Sequence, residues 1–214
     1  MTHSPYIPPP SHSTAAVLVT GGLDSTTLAW WLSVNGCGVQ PVFLDYGQHT
    51  ARTELSTIQE VMPQDVEAVR VLDLRDIFAG SNSRLIDPPN LWHDRVTSDD
   101  LHLPYRNLVI LAIGAAFAAT QQQPALYAAF IASNTAKEVD ASTSFIREMS
   151  RLTGDMGAVA LETPFRSLSK TEVVDLGLSL GVPIGRTYSC QVSPRVPCGA
   201  CPNCVDRRTA LAQR

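Results

Sequence analysis

Residues 15–27 read AAVLVTGGLDSTT, and this stretch decides the fold. Ala15 to Val19 is a short apolar run between a Ser/Pro-rich leader and Gly21-Gly22, which predicts a buried strand. Asp24 and Ser25 then open a helical stretch through Leu32. Strand, glycine turn and helix start together make an anion site. Glycines let the backbone approach a phosphate closely, and the free N–H groups and positive end of the helix attract it. Thr20, Ser25, Thr26 and Thr27 add side-chain donors. No Gly-Lys-Ser/Thr is present, so this is not the usual nucleoside-triphosphate loop. The plain alternative is a tight turn with an Asp/Ser cap. The position after the first buried strand favours a ligand, because open α/β sheets bind ligands at the carboxyl ends of their strands.

Outward from that loop, strands and helices alternate. Val39–Leu44 and Val66–Leu72 read as strands around a helix at Thr53–Met62. The pattern fades from Ser81 to Leu103, a stretch holding Pro88, Pro89, Trp92 and His93, which reads as a lid over the nucleotide. Asn107–Ala119 is apolar on nearly every face, as a buried central helix would be. Leu126–Ala132 and Val159–Leu161 predict two more strands around a helix at Asp140–Leu152. Ser169 begins a helix with Glu172 at capping-box spacing, and Gly181 and Pro183 end it after Leu180. A short terminal helix follows the last cysteines. This alternation predicts an α/β fold: a Rossmann-like, parallel, five-stranded sheet with helices on both faces. Residues 1–13 are expected to be a flexible leader, 14–186 the α/β domain, and 187–214 a zinc-binding segment with the terminal helix.

The chain's 214 residues fit one domain with at most a small appendage. Hydrophobic residues are 44% and charged residues 17%, which excludes bulk disorder. The net charge of −4 disfavours a general nucleic-acid binder. The longest apolar run, Leu108 to Ala119, is too short to span a bilayer, so no membrane partner is expected. The N-terminus has no cationic region before an apolar core, which points away from a secretory signal and toward the cytoplasm.

Four of five cysteines crowd together as Cys190-x7-Cys198-x2-Cys201-x2-Cys204. Without an export signal, this argues for metal rather than disulfides. Four thiolates can close a tetrahedron around a structural Zn²⁺, and an iron–sulfur cluster is a smaller possibility. Cys37 stands alone and reads as an incidental thiol. Lys170 stands at a helix start, against the helix dipole. Arg106 has a fork suited to phosphate or carboxylate, and Asp45 ends a strand where acids orient substrate or magnesium. Each has an ordinary surface reading as well.

The glycine loop resembles the SGGxDS loop of the adenine-nucleotide alpha hydrolases, the ATP pyrophosphatase superfamily, with Thr20 in the place of the first serine. Phe43-Leu-Asp45-Tyr46-Gly47-Gln48, Pro104-Tyr-Arg106-Asn107, Glu162-Thr-Pro164 before Ser169-Lys170-Thr-Glu172, and the cysteine spacing come in the order of the 7-cyano-7-deazaguanine synthase family. The resemblance covers roughly residues 15 to 212. It implies an ATP-dependent carbon–nitrogen ligase of queuosine-type biosynthesis, making the nitrile from 7-carboxy-7-deazaguanine and ammonia through adenylated intermediates. It implies ATP and Mg²⁺ at Leu18, Val19, Thr20, Gly21, Gly22, Leu23, Asp24, Ser25, Thr26, Thr27, Leu28, Tyr46 and Lys170. Catalytic roles fall to Asp24, Ser25, Lys170 and Arg106, and substrate contacts to Asp45, Gln48, Asn107, Glu138 and Asp140. A homodimer is common in that family.

The chain also departs from the pattern. Tyr105 stands where the family has glycine, His49-Thr50 stands where it has Arg-His, and Asn134–Phe145 replaces a DFSGYPDCR-like segment. This opens a second reading, a paralogue acting on another deazapurine, a tRNA or a protein. The last 29 residues hold five arginines and one aspartate, a local +4, which a zinc-bound set of four thiolates halves. A non-catalytic zinc module is the remote alternative, and it leaves the glycine loop and Lys170 unexplained.

Overall fold

The computed structural model describes residue 7 and residues 10–132 and 139–213. Among these, five parallel strands form one sheet in the order β3-β2-β1-β4-β5. They are β1 (Thr14–Leu18), β2 (Gly38–Asp45), β3 (Arg70–Asp73), β4 (Ala125–Tyr127) and β5 (Ala160–Glu162). The helices are α1 (Leu23–Val34), α2 (Ala51–Val61), α3 (Arg106–Thr120), α4 (Thr143–Gly157), α5 (Lys170–Leu180) and α6 (Pro202–Ala212). The order reverses between β1 and β4, the switch point where such sheets open a ligand crevice.

The two-residue period of a strand sends β1 into both cores. Ala15 and Val17 join Leu28, Leu32, Phe43, Phe165 and Val174 on the side of α1, α2 and α5. Ala16 and Leu18 join Leu111, Leu126, Ile146 and Met149 on the side of α3 and α4. On the α3 side, a Cβ at Gly114 would stand 3.0 Å from Leu126 Cδ2 and 3.2 Å from Leu18 Cδ2, so the missing side chain lets α3 lie close to the sheet.

Several expected elements change at their edges. β3 starts at Arg70, not Val66. Pro41 has no N–H to give a neighbouring strand, and Ala68's carbonyl accepts from Gln40 Nε2 (2.9 Å) instead. The ladder begins one residue later, at Val42↔Arg70. β4 stops at Tyr127 rather than Ala132, because its partners end there: Val17↔Tyr127 on β1 and Tyr127↔Glu162 on β5. The helix expected from Asp140 splits into a 3₁₀ turn at Val139–Ala141 and α4. Ser142 Oγ caps α4, accepting from Phe145 N (3.2 Å). α6 starts inside the cysteine cluster, with Cys201 as its N-cap and Pro202 in its first turn.

α3 is not buried all round. Leu111, Gly114, Ala115 and Ala118 face the sheet, while Leu108 is 39% exposed. The 22 residues Asp99–Thr120 pass a test of length and composition for a membrane span, as core helices of soluble proteins also do. Only α3's 15 residues form a continuous α-helix, about 22 Å long against a hydrocarbon core of about 30 Å. Among the described residues, three other than glycine have positive φ. Ala158 and Gln122 sit at helix C-termini, where the left-handed conformation is usual. Tyr105 (φ 63) instead starts α3, and a left-handed L residue costs about 1–2 kcal/mol.

The ring of Phe165 is fully buried and meets Trp31 edge-on at 6.0 Å. Phe165→Ala should lower unfolding stability by about 3–5 kcal/mol in urea titrations. A loss under about 1 kcal/mol would mean that this layer is not close-packed.

Candidate active site

β1 delivers the glycine loop to the carboxyl edge of the sheet, and the loop's hydroxyls close on one another. Thr20 N donates to Ser25 Oγ (3.1 Å), Thr20 Oγ1 lies 3.2 Å from Ser25 Oγ, and Gly22 N donates to Thr20 Oγ1 (3.3 Å). No side chain caps α1, whose N-cap is Gly22. Its first-turn N–H groups are therefore not taken by a side-chain cap, which leaves them available to an anion. Gly21 has φ +68, and a Cβ there would stand 2.9 Å from the Glu54 carbonyl. Leu18, Val19, Leu23, Thr26, Thr27 and Leu28 have buried side chains. They are the frame of the loop, and only their backbone is near its open face.

Lys170 reaches that loop from the first turn of α5. Ser169 caps the helix through a full capping box with Glu172, as the sequence indicates. Lys170 Nζ lies 2.8 Å from Asp24 Oδ2 and 4.0 Å from Asp206 Oδ2, with its side chain 13% exposed. Asp24 Oδ1 is buried and has no hydrogen-bond partner. Asp24 and Lys170 thus meet directly, while the Ser25 hydroxyl is engaged with Thr20 and Gly22 inside the loop. Arg106 stands apart, at the start of α3. It donates to Asn107 Oδ1 (3.3 Å) and pairs with the Tyr46 hydroxyl. Burial pushes the Tyr46 phenol up to about 12.

The turn after β2 is a polar knot. Gln48 is 3% exposed. Its Oε1 accepts from Tyr46 N (2.9 Å), while Nε2 donates to Leu44 O (3.2 Å) and Glu54 Oε2 (3.1 Å). Gln48 therefore sits as scaffold, with its carboxamide engaged inside the chain. Asp45 Oδ1 accepts from Gly47 N (3.0 Å). Asn107 N donates to Asp140 Oδ2, and Asn107 Nδ2 to Asp140 O, both at 3.2 Å, which ties the 3₁₀ turn to α3. Glu138 lies outside the described residues.

Sequence reading missed Glu54, Tyr188 and Asp206. Glu54 accepts from Thr50 Oγ1 (2.6 Å) and Gln48, and burial raises its pKa. Its one local signal was an acid in the first turn of α2. Tyr188 N donates to Gly21 O (2.9 Å), so the cysteine segment braces the glycine loop directly. Asp206 meets Lys170 across 36 residues of sequence, a contact with no local signal.

The four sulfurs of Cys190, Cys198, Cys201 and Cys204 lie within 4.8 Å of one another. Thiolates 2.3 Å from a tetrahedral zinc would be about 3.8 Å apart, so the set fits such an ion. Cys198 Sγ also accepts backbone N–H groups from Ala200 (3.4 Å) and Cys201 (3.2 Å). A hydrogen bond from Cys201 holds Cys190 well below the ordinary thiol range, to about 4, and the same bond pushes Cys201 up. Burial pushes Cys204 up to about 11.

The family model for queuosine biosynthesis protein QueC matches residues 14–214. The chain belongs to the QueC family. It is 31% identical over 208 residues to the 7-cyano-7-deazaguanine synthase of Methanosphaerula palustris, covering 93% of this chain and 94% of that one. It is 29% identical over 200 residues to 7-cyano-7-deazaguanine synthase 1 of Sulfurisphaera tokodaii, covering 92% of each. The fold is also that of the NMN synthetase from Francisella tularensis (TM-score 0.51, 15% identity, 88% of this chain and 71% of that one). A QueC-family chain with named synthase relatives of nearly its own length is an enzyme of the queuosine kind.

Two measurements test the site's framework. Metal analysis of the purified protein should find one equivalent, lost in Cys201→Ser together with several degrees of Tm; a metal-free, equally stable wild type would exclude the centre. Glu54 has a folded-state pKa above its unfolded value, so its contribution is full below the ordinary glutamate pKa of about 4.3 and fades as pH rises through the raised value. Glu54→Gln has no proton to lose there. Its stability relative to wild type should climb with pH across that window in urea titrations, and a flat difference would show that Glu54 ionises freely.

Proposed function

We propose that this QueC-family enzyme is an ATP-dependent ligase that converts 7-carboxy-7-deazaguanine and ammonia to 7-cyano-7-deazaguanine. The observation that carries the reading is the meeting of Lys170, Asp24 and the uncapped start of α1 at the switch point of the sheet. A cation and a row of free N–H groups at one edge suit the departure of pyrophosphate.

The substrate carboxylate attacks the α-phosphorus of Mg-ATP, the α–β bridging bond breaks, and pyrophosphate leaves into the glycine loop. Ammonia attacks the acyl carbon and AMP departs, leaving the amide after proton loss. The amide oxygen attacks a second ATP in the same way. Loss of AMP with the remaining N–H protons then forms the nitrile. In this scheme Ser25 holds the loop, Lys170 exchanges Asp24 for phosphate oxygens, and Asp24 is released toward magnesium. Arg106 steadies negative charge from the α3 side. Such positioning and charge neutralisation need no protein nucleophile. Zinc is structural in this proposal: it supplies a closed crosslink, and Cys190, Cys198, Cys201 and Cys204 would hold it. Arg207 is engaged with Ser189 (3.2 Å), Thr187 and Ile184 O, and Arg208 with Gly199 O (3.2 Å). That engagement supports a small-molecule substrate over a nucleic acid.

Incubation with Mg-ATP, ammonium and 7-carboxy-7-deazaguanine should give amide, then nitrile, with AMP by mass spectrometry. Lys170→Ala should lose about 10²–10³-fold in turnover with an unchanged fold. Absence of product beside intact ATP binding would move the substrate to another acid on the same scaffold, and an active Lys170→Ala would remove the lysine from the chemistry.

A further inference from the structure

Tyr105 occupies a backbone position that suits glycine, and nothing in the folded chain offsets the strain. Its φ is 63 and its side chain is not packed away, at 72% exposure. Its hydroxyl makes no hydrogen bond among the described residues, so neither burial nor polar pairing accounts for a tyrosine here. Strained residues that the fold does not itself need point to function.

The ring stands at the mouth of a cavity of about 540 Å³, lined by Ile77, Phe78, Ser81, Leu103, Tyr105 and Val109. The walls are mainly apolar, with the hydroxyls of Ser81 and Tyr105. The cavity is linked to the site through side chains: Phe78 meets Tyr46 edge-on at 6.1 Å, and Tyr46 pairs with Arg106, the residue after Tyr105. The start of α3 already has the Asp140 carboxylate on Asn107 N, so the guanidinium of Arg106 is the cation that counts here, and an aromatic-walled cavity beside it suits a flat ring that carries an anion. A carboxylated purine-like ring has both features. The adenine of ATP has the ring but no charge on it.

We propose that Tyr105 is a specificity-determining residue that stacks on the planar ring of the acid substrate and directs its carboxylate toward Arg106. The identity of that acid rests on the function proposed above. The test compares wild type, Tyr105→Gly and Tyr105→Phe in three readouts: Tm, KM for 7-carboxy-7-deazaguanine and for ATP, and calorimetric binding of the acid without ATP. Tyr105→Gly should keep its Tm or gain about 2–4 °C, while KM and Kd for the acid rise about tenfold and KM for ATP stays. Tyr105→Phe should stay within about twofold of wild type, since it keeps the ring. A fall in Tm on Tyr105→Gly would make the residue structural and overturn the inference. So would an unchanged KM for the acid, or a rise confined to ATP. If wild type binds the acid but yields no product, the proposed reaction falls, and the tenfold difference in binding still supports Tyr105. If wild type neither binds nor converts the acid, both fall.

Discussion

At Gly21 three segments meet with no room for a side chain. The Glu54 carbonyl crowds the Cα from α2, while Gly21's own carbonyl accepts from Tyr188 in the cysteine segment. A positive φ lets the loop turn between them. The position of α1, the direction of its free N–H groups and the reach of Lys170 all follow from this packing. A phosphate loop made only of backbone would be soft. Here it is clamped from two sides, which is the preorganisation that charge stabilisation needs.

The clamp also explains why the cysteine segment belongs to the site. Cys204 and Asp206 share α6, so the helix that completes the metal set also carries an acid to Lys170. Arg207 then closes the segment onto Thr187, beside Tyr188. A metal bound by the four thiolates would hold the brace at Gly21 and the acid at Lys170 through a few residues of rigid chain. The cysteine segment and the glycine loop are therefore joined by direct contacts.

What the sequence revealed was local. Apolar runs between turn residues marked every strand, and the spacing of Ser169 and Glu172 marked a capping box that the structure contains. The four cysteines needed only their spacing. What stayed hidden depends on partners distant in the chain. β3 begins late because of a proline in the neighbouring strand, and β4 ends early because its neighbours do. Glu54 is part of the site because α2 lies against the glycine loop, and Asp206 because α6 crosses to α5; no window of sequence contains either contact. Tyr105 was visible as a departure from the family's pattern, but only its φ turns the departure into strain.

The bond from Tyr188 to Gly21 also sets an order of events during synthesis. Every strand of the sheet has been made by Glu162, before Tyr188 and the four cysteines emerge. The sheet can collapse while its glycine loop still lacks the backbone donor that will steady it. The loop's last backbone contact is thus supplied by the same C-terminal segment that gathers the four thiols.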